Sequence, residues 1–277
     1  MITVVRPGPL TTSQDLGRPG YAHLGVPRSG ALDQPALRRA NALVGNAAEA
    51  AGLETTLLGC ALRFEVTASV AVTGADAIVR VDRRPVPTGE AIEVPAGAVL
   101  DIGRAQRGVR SYLAVSGGID VEPVLGSRST DTLSGLGPPK LTEGMTLPIG
   151  ARSPAAPSLP AATVDSGDEL VLEVRLGPRD DWFEAAGLFA DAYAISPLSN
   201  RVGCRLAGSA LTRTKAGELP PEGVVLGAVQ VPADGQPLIF LADHPTTGGY
   251  PVIGVVDDVT PLAQARPGTT VRFRAID

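Results

Sequence analysis

The chain has 277 residues, a formal net charge of -5 and 44% hydrophobic residues, enough apolar material for one large or two modest globular domains. Its basic residues form no cluster, which argues against nucleic acid and anionic membrane surfaces as partners. There is no signal-peptide pattern at the N-terminus and no apolar run long enough to cross a bilayer, so we expect a cytoplasmic protein.

Short predicted strands dominate the first half of the chain. Brief segments rich in Val, Ile and Ala are separated by turns containing Gly, Pro or Asp, which is typical of a barrel or a sandwich. The 33 glycines and 25 prolines supply corners and disfavour long helices. The predicted strands are 62–66, 69–73, 77–81, 99–102 and 111–115.

Two helices are predicted. The first begins after Asp33, which can cap it, continues through Pro35 in the first turn and ends at Gly45. The second begins near Asp180, where apolar side chains recur at helical spacing and are expected to pack in the core. These apolar side chains are Trp182, Phe183, Ala186 and Phe189.

Residues 151–163 are small, Pro-rich and without periodicity, so they are predicted to form a linker. The linker divides the chain into two β-rich halves, residues 1–150 and 164–277. Because sequence alone does not fix strand pairing, it stays open whether strands of the first half complete a barrel in the second. The strands predicted in the second half are 170–176, 223–231, 237–242, 250–256 and 269–276.

Cysteine and lysine are both scarce. Cys60 and Cys204 lie far from each other and from any His at ligand spacing, which favours buried reduced thiols over a zinc site or a redox pair. We therefore expect no metal. Lys140 and Lys215 are the only lysines, and neither belongs to a Walker-type phosphate loop or a Ser-Ser-Lys amidase centre. Neither is flanked by methionine, so we expect no covalently bound biotin on this chain.

The segment from Leu241 to Gly254 is the strongest candidate for a binding site, because an apolar run ends there in hydroxyls, paired glycines and an aromatic residue. Gly248 and Gly249 are able to adopt backbone angles closed to other residues and to point their N–H groups at an anion. A tight loop whose polar side chains bond their own backbone is an equally simple interpretation. The other polar residues of the segment are Asp243, His244, Thr246, Thr247 and Tyr250.

Three further turns are rich in glycine and polar residues. Residues 14–33 are dense in Asp, Arg, Tyr and His. Residues 126–130 place Arg128 between hydroxyl donors, where its guanidinium can fork onto a carboxylate or phosphate. Residues 199–203 offer the amide of Asn200 beside the guanidinium of Arg201. Each is also explained as a surface turn, and none decides a chemistry alone.

Nine motifs, in order and nearly end to end, resemble the family of C-type 5-oxoprolinase subunits. This family is also labelled allophanate hydrolase subunit 2, Kip antagonist, or biotin-dependent carboxyltransferase domain of urea carboxylase. The motifs are QDLGRPGY (14–21), GVPRSGALD (25–33), ANALVGN (40–46), LET (53–55), VTGAD (72–76), GGID (117–120), LGSRST (125–130), PADGQP (232–237) and TTGGYP (246–251). Two positions depart from the family pattern, because Asn200 stands where Asp is expected and His244 fills a slot often held by Arg or Gln.

The resemblance implies a mainly β protein with a few short helices and a cyclophilin-like β-barrel architecture. It implies ATP-dependent opening of the small-molecule substrate 5-oxo-L-proline to L-glutamate, active only in complex with two other proteins. These are a Kip-inhibitor-like sister, which is the B-type 5-oxoprolinase subunit, and a third oxoprolinase subunit. The ATP site can be shared with the partner. Two alternatives stay open: a carboxyltransferase-type subunit of a urea or amide carboxylase, and a non-catalytic regulator that binds a kinase-inhibitor-like protein.

Opening a lactam requires activation of a resonance-stabilised amide, so the protein must supply donors that stabilise an anion. We hypothesise that Asp243 or His244 handles a proton and that Asn200 orients the substrate. Arg128 is a further binding candidate. The predicted cradle for a carboxylate or phosphate consists of Arg201, Thr246, Thr247, Gly248 and Gly249, lined by Tyr250.

Overall fold

The computed structural model describes residues 1–152 and 169–277. The chain forms two compact units: the described residues 1–18 and 29–152 make the first, and residues 19–28 and 169–277 make the second. The first predicted half ran unbroken from 1 to 150, whereas residues 19–28 group with the second unit. Apart from residues 151 and 152, the predicted linker 151–163 lies outside the described residues.

The first unit is built on a nine-stranded sheet. Its strands are β1 (Ile2–Arg6), β2 (Thr11–Gln14), β3 (Gly52–Thr56), β4 (Ala61–Phe64), β5 (Ala68–Val81), β6 (Arg84–Val86), β7 (Ala91–Val94), β8 (Val99–Val115) and β9 (Thr146–Leu147). The order is β2-β3-β8-β4-β1-β9, and β5 pairs with β6, β7 and β8. One apolar core lies against this sheet and includes Ile2, Leu62, Leu100 and Leu113.

Two strands of this sheet are much longer than predicted: β5 has 14 residues and β8 has 17. They pair antiparallel from Val70 with Val115 to Val81 with Leu100. Gly74 and Asp76, which fall between the predicted strands 69–73 and 77–81, lie at register shifts inside β5. Irregularities of this kind bend a strand without ending it, so the predicted separate strands 69–73 and 77–81 form one element.

Helix α1 (Gln34–Leu43) confirms the first predicted helix. The Oδ1 atom of Asp33 accepts a hydrogen bond of 3.0 Å from the backbone N–H of Ala36. Such an N-cap contributes about 1 kcal/mol to helix stability. Gly45, at φ 74°, supplies the left-handed residue that follows the helix. Leu37 packs with Tyr112 of β8, which anchors the helix to the sheet.

The second unit contains a closed seven-stranded barrel in the order β10-β17-β14-β15-β12-β11-β18 and a two-stranded sheet of β13 and β16. Its strands are β10 (Glu169–Leu176), β11 (Tyr193–Ile195), β12 (Gly203–Ala207), β13 (Glu222–Gly223), β14 (Ala228–Gln230), β15 (Leu238–Phe240), β16 (Thr247–Gly248), β17 (Val252–Val256) and β18 (Thr270–Ala275). The strands alternate as a barrel requires, since Leu170, Leu172 and Val174 of β10 are buried and Val171 is 55% exposed. The predicted mainly β fold is confirmed.

The second predicted helix is wrong. The chain forms a single 3₁₀ turn at Asp180–Trp182 and a short helix α2 (Gly187–Ala190). Between them Phe183 is extended, at φ -135° and ψ 161°, and forms a β-bridge with Arg213. Pairing with a distant segment has overridden the local helical spacing. Phe183 is buried as expected, but Trp182 and Phe189 are only half-buried.

Both cysteines are buried free thiols, as predicted. Burial raises the pKa of Cys60 to about 11, so this thiol stays protonated and unreactive at neutral pH. Among the helices of the described residues, none has the length and apolar character needed to span a membrane.

Candidate functional site

Strand register brings the two predicted site segments of the second unit together. Strands β12 and β15 are antiparallel, with Gly203 at the start of β12 opposite Phe240 at the end of β15. The ladder continues beyond the strands, because Leu241 donates its N–H to the carbonyl of Val202 at 3.0 Å. The N–H of Asp243 in turn bonds the carbonyl of Arg201 at 3.1 Å. Residues 200–203 therefore lie against residues 240–243.

Arg201 and Asp243 form a buried ion pair. Nε and Nη2 of Arg201 donate to the two carboxylate oxygens of Asp243 at 2.8 and 3.0 Å. The side chains are only 1% and 0% exposed. Two parallel charge-assisted bonds compensate the burial of both charges and fix the two loops relative to each other. This fork of Arg201 thus faces Asp243, whereas the sequence hypothesis aimed the guanidinium at a substrate anion.

His244 follows the ion pair directly and is 7% exposed. Its Nδ1 lies 2.6 Å from the carbonyl oxygen of Pro245. Because a carbonyl oxygen only accepts, Nδ1 carries a hydrogen, and Nε2 is the ring atom able to take up a proton. The ring lies 5.8 Å from the ring of Phe240, which fixes its orientation. Of the two predicted proton carriers, Asp243 is paired with Arg201, whereas His244 has Nε2 as its basic ring atom.

Asn200 closes the turn before β12. Its Oδ1 accepts hydrogen bonds from the backbone N–H groups of Val202 at 2.8 Å and Gly203 at 3.3 Å. This is the self-bonding expected of an Asx turn, so the side-chain oxygen is occupied locally. The residue is exposed, and within the described chain its amide nitrogen has no partner. Only that NH₂ group is available for the predicted role of orienting a substrate.

The loop from Thr246 to Tyr250 contains the two-residue strand β16. Thr247 and Gly248 pair with Gly223 and Glu222 of β13. Neither Gly248 nor Gly249 has a φ in the left-handed region, so the expected special backbone angles are not what selects glycine here. Thr247 is exposed and Tyr250 is 49% exposed. The loop thus presents a hydroxyl and an aromatic ring to solvent.

Gly248 lies close to a buried side chain. A Cβ at this position would lie 2.5 Å from Nε2 of Gln230. That amide is buried and donates to the carbonyl of Tyr250 at 3.1 Å, tying the loop to β14. At Gly249 the nearest atom to an added Cβ is the Leu219 carbonyl oxygen at 3.7 Å, an ordinary contact. The two glycines therefore differ. Gly248 makes room for the amide that ties the loop to β14, whereas Gly249 leaves the main chain of the loop accessible.

Arg179 and Glu222 stabilise the same loop and were missed by the sequence analysis. Nε of Arg179 donates to Oε2 of Glu222 at 3.1 Å, and Nη2 bonds Oε1. The hydrogen bond from Arg179 lowers the pKa of Glu222, and the same bond raises the pKa of Arg179. The backbone N–H of Arg179 bonds the carbonyl of Val252 at 2.9 Å, so β13 is tied to β17. This contact depends on the tertiary pairing of the two-residue strand β13 with β16, which no local sequence pattern predicts.

Arg128 lies in the first unit, whereas the other nine predicted site residues lie in the second. Its Nη2 bonds Asp120 at 2.7 Å and its Nε donates to the carbonyl of Val121 at 2.8 Å. The guanidinium forks onto a carboxylate as its chemistry suggested, but that carboxylate belongs to the protein. Contacts within the units do not place Arg128 with the predicted cradle.

The first unit has its own buried polar centre at Asp15. One carboxylate oxygen of Asp15 accepts from the hydroxyls of Ser127 at 2.6 Å and Ser129, and the other accepts from the N–H of Arg128 at 2.6 Å. The buried Arg18 donates to the carbonyls of Val124 and Ser129. The segments 14–21 and 125–130 are therefore joined by a hydrogen-bond network, which fixes both turns.

A second buried network surrounds Glu54. Oε2 of Glu54 accepts from the hydroxyl of Tyr112 at 2.8 Å and from the N–H of Leu32 at 3.0 Å. The Tyr112 hydroxyl also accepts from the N–H of Asp33 at 2.8 Å, at the start of α1. Burial raises the pKa of Tyr112 well above its usual value, with Glu54 and Asp33 adding to the effect. The phenol therefore stays protonated and links the segments 25–33 and 53–55.

Comparison with known proteins agrees with the resemblance that the motifs indicated. The family profile described as carboxyltransferase domain, subdomain A and B, matches residues 24–275. The chain is 42% identical to the C-type 5-oxoprolinase subunit of Escherichia coli over 99% of this chain and 90% of that protein. It is 34% identical to the C-type 5-oxoprolinase subunit of Haemophilus influenzae over 100% of this chain and 91% of that protein.

Among solved structures, urea amidolyase of K. lactis superposes with a TM-score of 0.91 at 31% identity. The match covers 100% of this chain but 19% of the urea amidolyase chain, so the likeness concerns one part of that larger protein. The length of these matches and their sequence identity together assign the chain to a family. The chain belongs to the family described as carboxyltransferase domain, subdomain A and B, together with its C-type 5-oxoprolinase relatives.

Proposed function

We propose that this chain is a subunit of an ATP-hydrolysing 5-oxoprolinase that opens 5-oxo-L-proline to L-glutamate together with a sister subunit and a third protein. The observation that carries the proposal is the 42% identity to the C-type 5-oxoprolinase subunit, which extends over 99% of this chain and 90% of the relative. The match therefore spans nearly the whole length of that relative. We propose that the complex is cytoplasmic and that this subunit is active only as part of the complex.

The loop from Thr246 to Tyr250 is the proposed contact for an oxyanion. The exposed hydroxyl of Thr247 and the open main chain at Gly249 provide neutral donors for a carboxylate or phosphate oxygen. The fork of Arg201 faces Asp243, so this pair positions the loops while hydroxyl and backbone groups make the contact. Such a site fits a phosphate group only in part, which supports an ATP site completed by the sister subunit.

ATP would supply activation of the lactam carbonyl by phosphorylation of its oxygen. The residues of this chain then bind and orient the substrate and transfer a proton. Nε2 of His244 is the proposed proton acceptor, because Nδ1 is held by the carbonyl of Pro245. The NH₂ group of Asn200 is the proposed donor to the substrate. Tyr250, whose ring is half-exposed, is proposed to line the site.

Reconstitution from the three purified proteins tests the proposal. Glutamate should form from 5-oxoproline only when ATP and all three proteins are present. Omitting this chain should abolish the product. Product formation at an undiminished rate without this chain would refute its role.

Carboxyl transfer is the second candidate, and the observation that favours it is the close superposition on urea amidolyase, with a TM-score of 0.91. Because neither lysine has the flanks of a biotin-accepting segment, the carboxyl carrier would have to be another protein. Incubation with carboxybiotin on a carrier protein and urea distinguishes the two functions. Carboxylated urea without any product from 5-oxoproline would favour the transferase.

A further inference from the structure

A cavity of about 500 Å³ lies on the first unit, and none of its lining residues belongs to the candidate site. Three arginines line it, Arg6, Arg80 and Arg83, together with the carboxylates of Asp82 and Asp101. Its volume is within the range of small-ligand sites. What it can bind depends on which of these charges remain available to a ligand.

The register of β1, β4, β8 and β5 positions four of the residues that line the cavity. Arg6 of β1 lies opposite Ala61 of β4, Ala61 lies opposite Asp101 of β8, and Asp101 lies opposite Arg80 of β5. These residues form one row across four strands, and side chains in such a row point to the same face. The small side chain of Ala61 leaves a depression between the longer ones.

Both carboxylates are already engaged. Asp101 accepts from Nη2 of Arg6 at 2.6 Å, and Asp82 accepts from the N–H of Val99 at 2.9 Å. Arg6 is further held by the carbonyl of Leu58 at 3.1 Å. Within the described residues, by contrast, the side chains of Arg80 and Arg83 have neither a hydrogen bond nor an ion pair. The cavity therefore offers two uncommitted guanidinium groups.

Arg83 also occupies an unusual backbone position. Val81 pairs with Arg84, so Asp82 and Arg83 form the two-residue loop between β5 and β6. Their φ angles are 46° and 71°. A loop of this type favours glycine at its second position, and a bulky side chain there is strained. Strain kept at a position that carries a charge into a cavity points to a use for that charge.

We propose that this cavity, hereafter the Arg80–Arg83 cavity, binds the phosphate group of a small molecule. The three arginines against two aspartates leave the lining with a net positive charge. Two guanidinium groups are able to donate paired hydrogen bonds to phosphate oxygens, and a phosphate dianion carries more charge than a single carboxylate. The remaining volume accommodates the organic part of the ligand. The site goes beyond the proposed function, since the oxoprolinase proposal uses only residues of the second unit.

Titration calorimetry of the full chain with inorganic phosphate, at constant ionic strength, tests the site. Wild type should bind phosphate, and Arg80→Ala should weaken the affinity about tenfold or more. Arg83→Gly should weaken it similarly while leaving the thermal midpoint unchanged or raised, because glycine relieves the strain at φ 71°. Arg84→Ala is the matched control, since Arg84 lies next to Arg83 but outside the cavity lining.

Several results would overturn the proposal. Undetectable binding of phosphate to the wild-type chain at about 10 mM, well above the range of typical metabolite sites, would exclude a built site. An equal loss of affinity in Arg84→Ala would show that phosphate responds only to the general positive charge of this surface and not to the cavity. A malonate titration forms the carboxylate arm, and malonate binding as tight as phosphate would refute the assignment to phosphate.

Discussion

Arg201 and Asp243 are 42 positions apart in the chain, yet their side chains form two parallel hydrogen bonds of 2.8 and 3.0 Å in a site closed to solvent. The register of β12 and β15 creates this pair, because it sets the residue before one strand against the residues after the other. The pair connects the turn at Asn200 to the loop that begins at His244. Its integrity should decide whether the candidate site is formed.

Asp243→Asn should lower the free energy of unfolding by about 3 kcal/mol, because it leaves the guanidinium of Arg201 buried without its counter-charge. Asp181→Asn is the matched control, since Asp181 pairs with Lys215 at side-chain exposures of 57% and 47%. That change should cost less than about 1 kcal/mol. Urea denaturation followed by circular dichroism measures both. Equal effects of the two substitutions would contradict the central position of the buried pair.

Gly248→Ala should destabilise the chain by about 1–3 kcal/mol, because the new methyl group displaces the amide of Gln230 from the carbonyl of Tyr250. Gly249→Ala places its methyl group 3.7 Å from the nearest atom and should be close to neutral. Thermal unfolding of the two variants compares one chemical change at adjacent positions. A more damaging change at Gly249 would show that the loop is packed differently.

Glu222 should make stability depend on acid pH. Arg179 lowers its folded-state pKa below 4.5, so the pair adds stability above the unfolded-state pKa and loses it as pH falls through the folded-state pKa. The difference in free energy of unfolding between wild type and Glu222→Gln should therefore be present at about pH 6 and decrease progressively as the pH falls below 4.5. A difference that stays constant across this interval would show that the pair is not formed.

Thr247→Val should lower kcat/KM of the reconstituted complex about tenfold or more if the hydroxyl stabilises an oxyanion. The substitution keeps the shape of the side chain, and at this exposed position it leaves the core packing untouched. Thr142→Val, at an exposed threonine of the first unit, is the control and should leave turnover unchanged. Full activity in Thr247→Val would remove this hydroxyl from the site.

Local signals were sufficient for some elements. Asp33, Pro35 and Gly45 specify both ends of α1 through contacts within a few residues, so the helix was predicted correctly. Around Phe183 the helical spacing was misleading, because the bridge to Arg213 comes from a segment 30 positions away. Long-range pairing also joined the predicted short strands into β5 and β8.

For the candidate site, the sequence suggests residues but not how they are arranged. The sequence singled out Arg201, Asp243 and His244, but their mutual contacts follow from the register of β12 and β15. The special role of Gly248 arises from the approach of Gln230, which no local pattern contains. The pair of Arg179 and Glu222 joins positions 43 residues apart and was equally out of reach.

Coupled measurement of ADP and glutamate, in mixtures with and without this chain, tests the oxoprolinase proposal most directly. The complete three-protein mixture should form both products from 5-oxoproline and ATP, and the mixture lacking this chain should form no glutamate. The isolated chain should hydrolyse no ATP, because it has no Walker-type phosphate loop and its proposed loop supplies only part of a site. Glutamate formed at the same rate without this chain, or steady ATP hydrolysis by the chain alone that is lost in Thr247→Val, would contradict the proposal.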